Sequence, residues 1–208
     1  MPLETTISTL RHGSTQFNAE KRYAGTIDIP LSEAGVRDVS EASTKISLSV
    51  FDVVVTSEQR RAIQTAEILV DGKMKIVRSP LCNERRFGVM EGLTWDDIQH
   101  LQPPVLMIAV GNELHTVNPT GGEPFEDVWE RARKFRRFLL SNHGGRRILV
   151  VSHGVFLQMF HGVLRGLNCI ESLARYPGNL ELARFRLAGT RLMEEEVIRL
   201  SDAVSVKW

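Results

Sequence analysis

The sequence predicts a doubly wound α/β fold, a mostly parallel sheet with helices on both faces, in a single domain over residues 1–208. Two observations predict it. Short runs of β-branched and other apolar residues alternate with segments of helical period, and the connections between them are short. The run at 51–56 is mostly apolar and β-branched, as expected of a strand covered on both faces. The length of 208 residues suits one substantial hydrophobic core.

The N-terminal half alternates strands and helices. A buried strand is predicted at 5–10, and a long polar loop runs from there to Pro30. A helix then begins at Ser32, whose hydroxyl is suited to cap it. After strand 51–56, Ser57 is predicted to cap the next helix.

The C-terminal half continues the alternation after an irregular segment. A polar loop around Asn83–Arg86 follows a short strand, and we treat 93–119 as a lid-like insertion into the domain. The remaining predicted elements are a strand near 75–77, a helix over about 123–141, a strand at 147–152, a buried helix over 155–163, and two strands near 180–187 and 190–199 that form a hairpin around Gly189.

The composition argues against several classes of protein. A net charge of +1 provides no overall field that would attract nucleic acid or a membrane. Cys82 and Cys169 are too few for a disulfide framework and lack the spacing of a zinc site, so we expect reduced thiols. The N-terminal residues show no export signal, and no apolar stretch approaches about 18 residues. We therefore expect a cytoplasmic protein without a membrane partner.

Basic and imidazole side chains follow three of the predicted strands. Arg11 and His12 come directly after the first strand, Arg61 lies within a turn of the second, and His153 follows the strand that precedes the last helix. Any one of them could be a buried core histidine, a helix-surface cation or an idle loop residue. Because open α/β sheets bind ligands beyond the carboxyl ends of their strands, we expect the four side chains to converge on one site.

Two arginines and two histidines around one point suit a phosphate group, because planar guanidinium groups pair with its oxygens through two hydrogen bonds at once. One histidine can then attack phosphorus, since neighbouring cations keep its ring in the free-base form. Glu84 is the candidate acid for the leaving oxygen, because a bound phosphate dianion repels the carboxylate and favours its protonated form. The alternative is that Glu84 is a surface partner of Arg85 or Arg86.

Four segments carry these residues: LRHGSTQFNAEKRYAGTIDIPLSEAG from Leu10, TSEQRRAIQTAEIL from Thr56, LCNERRFGVMEG from Leu81 and VVSHG from Val150. In this order they resemble the four motifs of the histidine phosphatase superfamily, also called the phosphoglycerate mutase-like family. The resemblance covers roughly residues 6–164. Four motifs in the family's order make coincidence improbable.

The resemblance implies a phosphoglycerate mutase-like fold and a two-step reaction that needs no metal and no cofactor. His12 takes the position of the nucleophile that becomes phosphohistidine, and Glu84 that of the acid that protonates the leaving group and then activates water. The resemblance also places Arg11, Arg61 and His153 in the phosphate pocket, Thr15 and Asn18 in polar contacts to the phosphate, and Gly154 where the backbone must stay close.

Phosphatases and mutases of this family share the phosphohistidine and differ in what accepts the phosphoryl group. Mutases that resemble this chain carry basic residues in the insertion after the glutamate loop, whereas no lysine or arginine lies between Leu93 and Pro119. Val155 replaces the mutase asparagine after the final His-Gly, and Phe87 replaces the usual tyrosine. These departures favour a phosphomonoester hydrolase that acts on a small organic phosphate over a cofactor-dependent phosphoglycerate mutase.

Three alternatives stay open. A protein of another class, a non-catalytic phospholigand-binding protein, could keep the pocket without turnover, although neither His12 nor Glu84 is substituted. The apolar insertion 93–119 fits a lid over the leaving group, and it fits equally well a helix that packs on the domain. Exposed strands or the C-terminal residues 206–208 could form a homodimer contact.

The remaining basic and imidazole residues are interpreted without a ligand. His100, His115, His143 and His161 share no metal-ligand spacing, so we expect surface or packing roles and no metal site. A basic run is more typical of the solvated face of an amphipathic helix than of a nucleic-acid patch, so we expect no nucleic-acid partner. That run consists of Arg131, Arg133, Lys134, Arg136, Arg137, Arg146 and Arg147.

Overall fold

A central sheet and two layers of helices make up the computed structural model, which describes residues 3–200. The strands are β1 (Glu4–Arg11), β2 (Val53–Thr56), β3 (Ile76–Arg78), β4 (Met107–Val110), β5 (Glu113–Thr116), β6 (Arg147–Ser152), β7 (Glu181–Ala188) and β8 (Arg191–Arg199). The helices are α1 (Gln16–Ala19), α2 (Glu33–Lys45), α3 (Arg60–Val70), α4 (Trp95–Ile98), α5 (Phe125–His143) and α6 (Gly154–Arg165).

The six-stranded sheet has the order β3-β2-β6-β1-β7-β8. The strands β3, β2, β6 and β1 are parallel, whereas β7 pairs antiparallel with β1, and β8 antiparallel with β7. The predicted doubly wound, mostly parallel α/β fold is confirmed, including the C-terminal hairpin. The carboxyl ends of β2, β6 and β1 therefore lie side by side at one edge of the sheet.

Each face of the sheet packs against one pair of helices. In β6, Ile148 and Val150 belong to the core formed with α5 and α6, whereas Leu149 and Val151 belong to the core formed with α2 and α3. Successive side chains of a strand point to opposite faces, so an uninterrupted apolar run is required where both faces are covered. The apolar sequence of this strand thus follows from its central position.

One helix begins where the sequence predicts, and another does not. Ser32 caps α2, because its hydroxyl accepts a hydrogen bond from Gly35 N at 3.0 Å. The prediction that Ser57 caps α3 is wrong, since that helix begins at Arg60. The Ser57 hydroxyl instead lies 2.6 Å from Nε2 of His153. Ser57, predicted to cap a helix, therefore contacts one of the histidines that follow the strands.

The insertion predicted at 93–119 contains one helical turn, α4, and the antiparallel hairpin β4–β5. The hairpin contacts the turn before β7, where Nε2 of His115 donates to the carbonyl oxygen of Leu173 at 3.0 Å. The element that covers this side of the molecule is thus a hairpin. Its motion as a lid remains a prediction, as does the extent of the domain over 1–208. The C-terminal residues 206–208, considered for a dimer contact, lie outside the described residues.

None of the helices within residues 3–200 is long and apolar enough to cross a membrane. The basic face predicted for α5 is only partly solvated. Arg133 and Arg137 are exposed and pair with Glu130. Arg131 was expected on the solvated face, and that expectation is wrong, because its side chain is 18% exposed and turns toward the loop that carries Glu84.

The first turn of α2 lies against the loop that follows His12. The carbonyl oxygen of Ser14 accepts hydrogen bonds from the backbone N–H and the hydroxyl of Ser32, at 3.0 and 3.2 Å. A Cβ atom on Gly35 would lie 1.9 Å from that same oxygen. The loop can approach the helix this closely only because residue 35 has no side chain.

We expect Gly35→Ala to lower the free energy of unfolding by about 1–3 kcal/mol, because neither backbone segment can retreat without distortion. In a helix with open space around the glycine, the same change raises the free energy of unfolding by roughly 0.8–1.0 kcal/mol. A decrease would therefore indicate the close contact with Ser14. Urea denaturation measures the change. Arg37→Ala, at an exposed position of the same helix, is the control and should stay within about 0.5 kcal/mol of wild type. Unchanged stability of Gly35→Ala would contradict this contact.

Candidate active site

The ends of β1, β2 and β6 bring the predicted side chains together. His12 follows β1, and its ring centroid lies 5.1 Å from that of His153, which follows β6. Arg61, in the first turn after β2, donates from Nε to Nδ1 of His153 at 3.2 Å. Arg11, His12, Arg61 and Glu84 line one pocket. Four of the five side chains given catalytic roles from the sequence therefore line one cleft, and the fifth, His153, is buried behind them in contact with Arg61 and His12.

The His12 ring presents one nitrogen as an acceptor. The ring is nearly buried, and Nδ1 lies 2.7 Å from the carbonyl oxygen of Gly13. Because a carbonyl only accepts, Nδ1 carries the proton, and Nε2 of the neutral ring keeps its lone pair. Burial lowers the pKa of His12 well below its usual value, and the Arg61 and Arg11 guanidinium groups lower it further. The geometry thus prepares Nε2 as a nucleophile.

His153 is held in the opposite tautomer. Its Nδ1 accepts a hydrogen bond from Arg61, so the proton of the neutral ring is on Nε2, which donates to the Ser57 hydroxyl. Burial lowers the pKa of His153 well below its usual value, and the charge of Arg61 adds to this effect. Both imidazoles are therefore neutral at ordinary pH, and the pocket's positive charge comes from its arginines.

Two guanidinium groups supply hydrogen-bond donors for an anion. Arg61 is 1% exposed and donates to the carbonyl oxygens of Ile27 and Gly25 at 3.0 and 2.9 Å as well as to His153. Burial lowers the pKa of Arg61 to about 10, so the group remains charged at neutral pH. Arg11 donates to the carbonyl oxygen of Pro177 at 3.0 Å. Since a guanidinium has five N–H donors, both retain donors for phosphate oxygens.

The Glu84 carboxylate lies at the N-terminus of α6. One oxygen accepts hydrogen bonds from the backbone N–H groups of Arg85 at 2.8 Å and Phe156 at 3.0 Å, and the other accepts from Val155 at 3.2 Å. The residue is buried, so a surface pairing with the side chains of Arg85 or Arg86 does not describe it. The helix that begins beside His153 thus also orients the candidate acid.

The three residues assigned to substrate contacts fall in different places. Thr15 and Asn18 line the pocket, and their polar groups hydrogen-bond to each other as the cap of α1. Gly154 starts α6, and a Cβ there would lie 1.9 Å from the Tyr176 hydroxyl. The close approach seen in the structure is therefore to Tyr176, and contact of these three residues with a phosphate remains a prediction.

Several pocket residues were missed by sequence reasoning. Tyr176 precedes β7 in an unremarkable loop, and its ring stacks under the Arg11 guanidinium at 5.0 Å. His115 was interpreted as a surface or packing residue, yet it lines the pocket from β5. The position of His115 inside the apolar insertion, which was expected to lie over the site, was the signal that could have identified it. Phe87 and Val155, which the sequence comparison with mutases singled out, also line the pocket, and the other missed lining residues are Arg22, Tyr23, Ala24, Gly25, Arg85, Glu113, Leu114, Thr116 and Phe125.

The remaining histidines lie away from the pocket. His161 is buried in the core, where Nε2 lies 2.7 Å from the Thr9 hydroxyl, and burial lowers its pKa well below the usual value. His100 is exposed on the surface. Within residues 3–200, no group of three or more histidine, cysteine, aspartate or glutamate side chains is arranged to hold a metal ion.

The family model for the histidine phosphatase superfamily (branch 1) matches residues 7–194. The chain belongs to this superfamily. Fructose-2,6-bisphosphatase TIGAR B of Danio rerio is 33% identical over 148 residues, which are 66% of this chain and 56% of that relative. The 2,3-bisphosphoglycerate-dependent phosphoglycerate mutase of Bartonella henselae is 25% identical over 181 residues, which are 83% of this chain and 87% of the mutase.

A solved structure of a phosphatase has the same fold. The alpha-ribazole phosphatase from Shigella flexneri aligns with a TM-score of 0.79 at 24% sequence identity, over 97% of this chain and 99% of that structure. The superfamily relatives include phosphatases that act on different substrates as well as mutases. Membership therefore confirms the family and its fold, and the acceptor of the phosphoryl group must be argued from the pocket.

We expect both rings to be neutral at about pH 6, with the proton on Nδ1 of His12 and on Nε2 of His153. The lowered pKa values of both rings mean that the imidazolium forms appear only well below the reference value of about 6.5. Nitrogen-15 NMR of the imidazoles distinguishes protonated from bare nitrogens. His12→Gln and His153→Gln assign the signals. A cationic ring at this pH, or the same tautomer in both, would contradict the described hydrogen bonds.

Proposed function

We propose that the protein is a phosphomonoester hydrolase that works through a phosphohistidine on His12, without a metal or cofactor. The observation that carries the proposal is the orientation of the His12 ring. The hydrogen bond from Nδ1 to the Gly13 carbonyl leaves Nε2 as the only nitrogen with a lone pair, beside Arg11 and Arg61. A phospholigand-binding protein would have no need of a neutral imidazole among its cations.

The first step transfers the phosphoryl group to the protein. The lone pair of His12 Nε2 forms the bond to phosphorus while the bond from phosphorus to the leaving oxygen breaks. That oxygen takes the proton of the Glu84 carboxyl group and departs as an alcohol. Arg11 and Arg61 neutralise the charge on the equatorial oxygens, which is where most of the stabilisation in phosphoryl transfer is needed.

The second step returns the protein to its starting state. Glu84, now a carboxylate, accepts a proton from water as the water oxygen attacks phosphorus and the bond to Nε2 breaks. The products are inorganic phosphate and the neutral imidazole. Oε1 of Glu84 accepts two backbone hydrogen bonds and Oε2 accepts one, so Oε2 keeps a lone pair for the proton that Glu84 transfers.

The outer pocket, by which we mean the lining residues other than the predicted site residues, favours water over a sugar acid as the acceptor of the phosphoryl group. Arg85 lines this part of the pocket, but its guanidinium donates to carbonyl oxygens of Glu123, Thr116 and Val117 and lies 3.8 Å above the Phe125 ring. Three of its five donors are therefore engaged by carbonyl oxygens, and one face of the guanidinium is covered by the Phe125 ring.

Arg22 is held by neighbouring groups, and its charge is paired with a carboxylate. It pairs with Glu20 at 2.7 Å and donates to the Gly92 carbonyl oxygen at 2.8 Å. From β5, Glu113 and Leu114 line the pocket, so this side adds no cation to it. A second anionic group of a bisphosphate or phosphoglycerate would face these residues, which supports hydrolysis of a singly phosphorylated organic substrate. The ligand class is thus a small phosphomonoester, with no nucleic-acid or membrane partner.

We expect the purified protein to hydrolyse p-nitrophenyl phosphate in the presence of EDTA, and His12→Ala to reduce turnover at least about a thousandfold, because the nucleophile is lost. Rapid acid quenching with labelled substrate should trap phosphate on wild type and none on His12→Ala. His100→Ala, an exposed histidine on α4's C-terminal side, is the matched control and should retain full turnover. Strict dependence on added metal would overturn the proposed mechanism.

We expect hydrolysis of phosphomonoesters to exceed any interconversion of phosphoglycerates, because the insertion 93–119 brings no lysine or arginine to the pocket. Product analysis of 3-phosphoglycerate, with and without 2,3-bisphosphoglycerate, measures both rates. Interconversion faster than hydrolysis would establish a mutase instead. The variant Leu114→Arg tests whether the missing cation is the cause. It should improve binding of doubly anionic substrates, and turnover of p-nitrophenyl phosphate should stay within about a few fold of wild type.

A further inference from the structure

The loop that carries Glu84 is held by one arginine of α5. The Nη1 of Arg131 donates to the carbonyl oxygens of Leu81 at 3.1 Å and Asn83 at 2.6 Å. Its Nη2 donates to the carbonyl oxygen of Glu84 at 3.4 Å. Three carbonyl groups within four residues of the loop therefore converge on a single guanidinium group.

The remaining donors of Arg131 are taken by Glu123. Nε donates to one carboxylate oxygen at 3.0 Å, and Nη2 donates to the other at 2.8 Å. A guanidinium has five N–H donors, and here each of them has an acceptor. The side chains of Arg131 and Glu123 are 18% and 16% exposed, so this pair is screened less than a surface ion pair.

Glu123 is itself fixed to the segment that follows Glu84. Its backbone N–H donates to the carbonyl oxygen of Arg86 at 2.8 Å, and its own carbonyl oxygen accepts from Nε of Arg85 at 2.7 Å. Arg131 and Glu123 thus grip the chain on both sides of the candidate acid. The Arg131 guanidinium also lies 5.2 Å from the ring of Phe156, the residue whose N–H binds the Glu84 carboxylate.

The geometry points to Arg131, with Glu123, as the positioning residue for Glu84, an inference that rests on the proposed function. Neither residue lines the pocket, so neither contacts the substrate, and we infer that they act on the reaction through the carboxyl group that they place. Lysine cannot replace arginine in this role, because three donors on one nitrogen cannot reach acceptors spread across a planar fork. The positioned group is the one that protonates the leaving oxygen.

Leaving-group dependence of hydrolysis tests the inference. The substrates are phenyl phosphates with a 4-nitro, no or a 4-methyl substituent, which have similar size but differ in how much the leaving oxygen needs a proton. For Arg131→Lys, we expect kcat/KM to fall about tenfold or more with 4-methylphenyl phosphate and less than about threefold with 4-nitrophenyl phosphate. Arg133→Lys, on an exposed side chain of the same helix, should change neither value.

A combined variant separates positioning from general damage. In the Glu84→Gln background, which has no acid to place, Arg131→Lys should cost less than about twofold further. Thermal unfolding confirms that each variant is folded. If Arg131→Lys does not fold, Glu123→Gln serves instead, because its amide keeps the shape but replaces one acceptor oxygen by a donor; it should show the same dependence on leaving group.

Two results overturn the inference in distinguishable ways. Equal losses with all three substrates, or full additivity with Glu84→Gln, would show that Arg131 only stabilises the fold, and the proposed function would stand. If wild type forms no acid-labile phosphoenzyme and hydrolyses none of the three substrates, the proposed function fails and this inference fails with it.

Discussion

The charged guanidinium of Arg61 is buried where almost no water reaches it, and the surrounding structure supplies the hydrogen-bond acceptors that this buried charge requires. Carbonyl oxygens of Gly25 and Ile27 turn inward to accept its hydrogen bonds, which draws the long loop after β1 over the sheet edge. A buried charge without such partners would cost several kcal/mol. Burial lowers the pKa of His12 and His153 well below the usual value, and the same charge lowers both further. Loop placement and ring chemistry therefore have a common origin.

The start of α6 organises the other half of the site. His153 stands at its N-cap position, and the first N–H groups of the helix, which have no partners within it, bind the Glu84 carboxylate. The start of one helix thus places both His153 and the candidate acid. Arg131 completes this arrangement from the neighbouring α5, so the loop with Glu84 is defined by two helices that also cover the same face of the sheet.

Residues that follow strands were predictable, because parallel pairing brings strand ends together and the chain order alone says what comes next. This was true of Arg11, His12 and His153. Ser57 and Arg131 were not predictable, since a serine after a strand also suits a helix cap, and an arginine among other cations on a helix suits a solvated face. Ser57 pairs with an imidazole and Arg131 with loop carbonyl groups, and in both cases the partner comes from a distant segment of the chain. Such pairings depend on how the loops fold onto the helices, which local sequence patterns do not show.

The hairpin β4–β5 contributes to the pocket wall yet has no strand in the central sheet. It is attached through a few contacts, among them the bond from His115 to Leu173 and those from Arg85 to Thr116 and Val117. None of these contacts is made with β1, β2 or β6, so we expect insertions or exchanges in this hairpin to leave those strands in place. Changes in the hairpin can then alter which molecules enter the pocket separately from the residues at the strand ends, a division of labour that makes such a scaffold easy to diversify.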